Sequence, residues 1–148
     1  MDIQLNDFLR QIAFTEEVAH TFYLNMAAWI DDQETKEVLK AIAKEEIRHR
    51  DHFLRLQKSE DLSLVLIEEH SLADLSDLLK LPPMLLDRRL KVPEALDLAI
   101  SMEKNAVRFY DLLAGFQPQG AAREVLNKIL EEERSHQRIF ERLKGILS

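Results

Sequence analysis

The chain has no cysteine, and only three glycines and four prolines occur among its 148 residues. Without thiols there can be no disulfides, thiolate-held iron–sulfur clusters, cysteine nucleophiles or zinc ribbons, so any metal must sit on oxygen and nitrogen. Long apolar runs are missing too. Runs such as Leu64 to Ile67 are far too short to cross a bilayer. The opening MDIQLNDFLR has no positive stretch followed by an apolar one, so the expected location is cytoplasmic, without a membrane partner. Positive charge is in deficit, 20 basic residues against 27 acidic for a net −7, and no basic block could neutralise a row of phosphates, so nucleic acid is not an expected partner.

What is present is leucine, alanine, glutamate and lysine, with no useful length of period-two alternation, and this predicts an all-α fold. The length suits one domain, 1–148, able to bury its own core. Helical periodicity runs over about Ile3–Ile30, Gln33–Lys58, Pro93–Phe116 and Ala121–Leu147. The first turn centres on Asp31 and Asp32, whose side chains can cap the next helix, and the last turn is Gln117-Pro118-Gln119-Gly120. Short turns imply two antiparallel hairpins, about 3–58 and 93–147. The leucine-rich stretch of about 59–92 between them, with a short helix expected around Ser71–Lys80 before Pro82-Pro83, is long enough to run the length of a bundle. Such a crossover makes the second and third helices parallel. Pro93 suits the first turn of the third.

Residues 9–56 match residues 96–143 in type and position at a constant offset of 87. Leu39, Ile42, Glu46, His49, Phe53 and Leu56 return unchanged as Leu126, Ile129, Glu133, His136, Phe140 and Leu143. Leu9, Ile12, Glu16, Ala19, Tyr23 and Met26 are answered by Leu96, Ala99, Glu103, Ala106, Tyr110 and Leu113. Steps of three and four mark the inward seam of a helical bundle, so four glutamates, two histidines and two tyrosines occupy places where leucine would ordinarily pack.

Four facing carboxylates in an apolar interior are strongly disfavoured, and no Lys or Arg shares these seam positions. Two divalent cations would neutralise them. The geometry agrees. Glu16 precedes Asp31 by 15 residues, about 22 Å of helix, and Glu46 follows Asp32 by 14, about 21 Å, so both return to one level. Glu103 and Glu133 do the same across their own turn. His49 and His136 lie one turn further on the same helix faces. Mixed oxygen and imidazole donors suit iron, with manganese as the alternative, rather than calcium or magnesium. Ala19 and Ala106 leave room beside the metals for water, dioxygen or peroxide. Tyr23 and Tyr110 can hydrogen-bond ligand carboxylates, or simply pack.

One Glu from each of two helices plus Glu-x-x-His from the other two, here Glu16, Glu46-Ile47-Arg48-His49, Glu103 and Glu133-Arg134-Ser135-His136, resembles the ferritin-like di-iron carboxylate proteins. The stretches EALDLAISMEKNAVRFYDLL and ILEEERSHQRIF, with a tyrosine seven residues after each lone glutamate, are most similar to rubrerythrin-type domains. The resemblance implies a ferritin-like four-helix bundle in which Glu46 and Glu133 bridge two iron ions. Glu16 and His49 would complete one coordination sphere, and Glu103 and His136 the other. It also implies at least a homodimer and an external electron donor. The chain differs from full rubrerythrins in lacking a rubredoxin module and in having Ala106 where they carry a further glutamate.

Glu17-Val18-Ala19-His20 repeats the Glu-x-x-His spacing off the seam, and His20, His52 and His70 have no histidine counterpart at the offset, so these are expected away from the metals. Glu45 and Glu132 are expected on a solvated face, and Phe22, Phe109 and Trp29 as packing residues. The leading functional expectation is an oxidoreductase reacting with O2 or H2O2 through two Fe ions, in oxidative-stress defence or Fe(II) oxidation, without haem, flavin or an iron–sulfur cluster. Alternatives are an iron-handling protein that oxidises and stores or delivers iron, and a non-enzymatic metal-responsive interaction module. A carboxylate-bridged hydroxylase ranks below these, because the sequence marks no substrate channel.

Overall fold

The computed structural model describes residues 3–58, 75–79 and 91–147, and the side chains of the first segment from Asp7 to Arg55. Among the described residues four long helices form: α1 (Ile3–Trp29), α2 (Gln33–Lys58), α3 (Val92–Gly115) and α4 (Ala121–Leu147). Their bounds lie within a residue of those read from periodicity, because residues at the ends carry the stop signals. Asp32 caps α2, its Oδ2 accepting from the Thr35 amide at 2.9 Å and the Thr35 hydroxyl at 2.6 Å. Pro93 sits in the first turn of α3, where a missing N–H costs nothing. Before α4, Gly120 takes φ +153°, a conformation that side chains rarely adopt, and its carbonyl accepts from the Glu124 amide at 3.1 Å.

α1 packs along α2 and α3 along α4, and the two pairs meet through α1 with α3 and α2 with α4. Across α1 and α3, Glu16 meets Tyr110 and Tyr23 meets Glu103, the earlier residue of one helix with the later of the other. These helices are therefore antiparallel. Since α1 and α2 also run oppositely, α2 and α3 are parallel, as the long connection requires. The result is an all-α, ferritin-like four-helix bundle.

The core has two apolar layers. One gathers Phe8, Leu9, Ile12, Phe53, Phe109, Leu113, Leu126 and Ile129, and the other Phe22, Met26, Leu39, Ile42, Leu96, Ala99, Phe140 and Leu143. Of the expected short helix at Ser71–Lys80, a turn over 75–78 is described, and Leu75 and Leu79 are buried in the first layer. Gln11 donates to the Ser76 carbonyl at 3.4 Å, and the Ser76 hydroxyl donates back to Gln11 Oε1 at 3.1 Å. His70, Pro82-Pro83 and the side chain of Leu56 lie outside the described residues. Trp29 differs from expectation: at the end of α1 and off the seam, it remains 36% exposed, while Phe22 and Phe109 are buried as expected.

Candidate metal centre

Between the two apolar layers lies a polar one. Glu16, Glu46, His49, Glu103, Glu133 and His136 are all at most 4% exposed, so the seam reading of the sequence brings the intended six together. They form two overlapping groups, Glu16, Glu46, His49 and Glu133, and Glu46, Glu103, Glu133 and His136, each with donor atoms within 4.8 Å of one another. Glu46 and Glu133 belong to both groups, as residues shared between two neighbouring ions would.

Each of the six also presents one buried atom outside any well-formed hydrogen bond: Oε2 of Glu16 and Glu103, Oε1 of Glu46 and Glu133, and Nδ1 of both histidines. These atoms face one another: His136 Nδ1 lies 2.9 Å from Glu46 Oε1 and 3.2 Å from Glu133 Oε1, and His49 Nδ1 lies 3.5 Å from Glu16 Oε2 and from Glu133 Oε1. Buried polar atoms are rarely left unsatisfied. Six in one layer, one from each side chain and all turned inward, are the arrangement a pair of cations would complete. The donor set, four carboxylates and two imidazoles, fits iron or manganese.

The surrounding groups hold these side chains from behind, in pairs related by the 87-residue offset. Tyr23 Oη donates to Glu103 Oε1 at 2.7 Å, and Tyr110 Oη donates to Glu16 Oε1 at 2.5 Å. Each tyrosine thus serves the glutamate of the opposite hairpin and leaves the other oxygen of that carboxylate facing the cluster. Both rings pack on phenylalanine, Tyr23 on Phe140 with centroids at 4.9 Å and Tyr110 on Phe53 at 5.9 Å. Burial, followed by the neighbouring glutamates, pushes both phenols well above their ordinary pKa, so they stay protonated donors.

Glu45 and Glu132 depart from the solvated face expected of them. His49 Nε2 lies 2.7 Å from Glu132 Oε2, and His136 Nε2 lies 2.6 Å from Glu45 Oε2. With Nε2–H donating outward, Nδ1 faces the cluster, the arrangement in which a carboxylate fixes the ring of a metal-binding histidine. Seam logic missed these two because a glutamate beside a seam position normally reaches solvent. The signal was nevertheless present, since Glu45 and Glu132 are themselves related by the offset.

The electrostatics show how strongly this layer calls for positive charge. Burial pushes the Glu46 carboxyl well above its usual range, with Glu133, Glu16 and Glu103 adding repulsion. Burial and Glu133 raise Glu103 to about 8. Burial opposes charging of His49, yet Glu132 and Glu16 outweigh it and lift the ring to about 10. His136 reaches about 11 in the same way, against burial and through Glu103 and Glu133. Protons gather on these four groups, while for Glu133 burial is outweighed by hydrogen bonds with His136 and Glu46, which draw it down to about 2.

A cavity of about 290 Å³ adjoins the cluster between α1 and α3, walled by Ala19, Ala106, Met102, Leu78 and Leu79 and floored by the four glutamates. The two alanines leave the space expected of them. The other two described histidines stand apart: His20 Nδ1 is 2.7 Å from the Ala43 carbonyl oxygen, and Arg55 lies 3.0 Å from His52 Nδ1. Glu17 pairs with Arg50 at 3.7 Å on the outside. Among the described residues no helix is long and apolar enough to cross a membrane.

Comparison with known proteins agrees with this architecture. No curated protein matches the chain in sequence. A crystal structure of a candidate ferritin-like diiron-carboxylate protein from Thermotoga maritima superposes with a TM-score of 0.75 at 23% identity, covering 97% of this chain and 96% of that one, a likeness of fold. The rubrerythrin family profile matches residues 7–144. The chain belongs to the rubrerythrin family.

Proposed function

We propose that the chain is a di-iron carboxylate oxidoreductase acting on dioxygen or hydrogen peroxide, with Glu16, Glu46, His49, Glu103, Glu133 and His136 holding the metals. The observation that carries this reading is the ring of six buried atoms that face one another and make no hydrogen bond outside the cluster. Glu16 and His49 would hold one ion, Glu103 and His136 the other, and Glu46 and Glu133 would serve both, matching the two overlapping groups. Two adjacent iron ions supply paired one-electron transfers to a small oxidant.

The chain's own residues supply the rest. Tyr23 and Tyr110 fix two carboxylates and keep their protons, Glu45 and Glu132 set the histidine rings, and the apolar layers on either side limit water. Ala19 and Ala106 leave a place for the oxidant. Reduction of H2O2 to two waters consumes two electrons and two protons, so a cycle draws on an external donor.

The test is to load the purified protein anaerobically with Fe(II), mix it with O2 or H2O2, and follow near-ultraviolet absorbance and oxidant consumption. Fast consumption at two Fe per chain supports the proposal. Oxidation no faster than that of free Fe(II) rejects it. A second reading, oxygenation of a small organic molecule, is favoured by the cavity's apolar walls at Leu78, Leu79 and Met102. It predicts oxidant consumption that depends on added substrate.

A further inference from the structure

The hydrogen bonds that hold the polar layer from outside are almost symmetric. Each interaction around it has a counterpart 87 residues away: Tyr23 to Glu103 and Tyr110 to Glu16, His49 to Glu132 and His136 to Glu45. Inside the layer the spacing differs, His136 Nδ1 lying 2.9 Å from Glu46 Oε1 where His49 Nδ1 lies 3.5 Å from Glu133 Oε1, and among the outer contacts one interaction breaks the pattern. Arg48 Nη2 donates to Glu132 Oε2 at 2.7 Å, the same oxygen that His49 Nε2 approaches at 2.7 Å. The residue equivalent to Arg48 is Ser135, which is short and uncharged. Glu132 is therefore clamped from two sides and its side chain is 20% exposed, whereas Glu45, which accepts from His136, is 37% exposed.

This difference bears on metal binding. A histidine ring whose outer partner is already fixed loses little freedom when its inner nitrogen takes a metal, and disturbing such outer partners commonly weakens metal affinity. His136 depends on a carboxylate that also samples solvent, so more ordering must accompany binding there. The positive charge of Arg48 acts in the opposite sense, repelling a cation. But the guanidinium is 51% exposed and separated from the cluster by the Glu132 carboxylate and the imidazole, so water screens that repulsion.

We propose that Arg48 makes the two metal positions unequal. The Glu16/His49 position fills first and holds its ion, and the Glu103/His136 position fills second and exchanges. Arg48 is a positioning residue, acting through Glu132 and His49. The inference depends on the metal-centre reading above and adds an order of occupancy that the ligand set alone, being symmetric in residue type, does not contain.

The full-length protein is titrated with Mn(II) by calorimetry, and crystals grown at one equivalent are measured for anomalous scattering. The expected result is two steps separated by about tenfold in dissociation constant, with scattering concentrated at the Glu16/His49 position. Arg48→Ser should merge the steps at the weaker value. Ser135→Arg should merge them at the tighter one, and Arg48→Lys should restore part of the separation. Positions 48 and 135 lie outside the buried layer, so these variants should fold, which a thermal melt of each metal-free form checks. Two equal steps in the parent protein, or an unchanged separation in Arg48→Ser, would overturn the proposal while leaving the metal centre standing. Failure of the parent to bind Mn(II) and Fe(II) at all would overturn both.

Discussion

Glu45 and Glu132 illustrate what a single position can hide. Each precedes a seam glutamate by one residue, yet each holds the histidine ring of the facing helix in the other hairpin. Periodicity identifies side chains that point inward. It does not report which outer carboxylate a buried ring will find across a helix–helix interface, and so the six inward residues were legible while these two were not. Replacing either with glutamine keeps the size and removes the charge. Glu132→Gln and Glu45→Gln should each lower metal affinity by about 10- to 100-fold with the helix content unchanged, as read by metal titration and circular dichroism. The tyrosines act differently, because their partners are buried on both sides. Tyr23→Phe leaves Glu103 Oε1 without its donor and should cost the metal-free protein about 1 kcal/mol or more, measured from the urea midpoint. Tyr110→Phe should do the same through Glu16.

At the level of elements, the four helices were legible almost to the residue because seam and stop signals coincide: Asp32 before α2, Pro93 at the start of α3, Gly120 before α4. The exposed apolar residues were not legible. Phe14 is 61% exposed and Leu24 40%, since α1 carries apolar side chains on more than one face and its pattern alone does not choose among them. Gly120 gives a clean test of a turn. A Cβ there would meet nothing within 4 Å, so only the backbone conformation resists a side chain. Gly120→Ala should therefore destabilise the protein by about 1 kcal/mol without altering the metal site, seen as a lower denaturation midpoint with unchanged metal content.

For the molecule as a whole, the central feature is a charged layer placed between two apolar ones. The duplication explains how the chain achieves it, since each hairpin contributes two glutamates and a histidine and borrows its tyrosine and outer glutamate contacts from the other half. The sequence revealed that layer because a conserved spacing within one chain, offset by 87, is visible without any second protein. Such a layer sacrifices stability for binding. In the metal-free protein, six buried atoms have only one another to face, and burial followed by the charges of Glu133, Glu16 and Glu103 disfavours an ionised Glu46. Glu46→Leu combined with Glu133→Leu should remove metal binding yet raise the melting temperature of the metal-free protein by a few degrees. A lower melting temperature would mean that the histidines already satisfy those carboxylates.

The central claim is that cations complete the buried cluster, and metal content tests it most directly. Full-length protein reconstituted with Fe(II) under anaerobic conditions, desalted and submitted to elemental analysis, should retain about two equivalents per chain, and the Glu46→Leu/Glu133→Leu variant should retain almost none. Retention of less than one equivalent by the parent protein, or equal retention by the variant, would contradict the account.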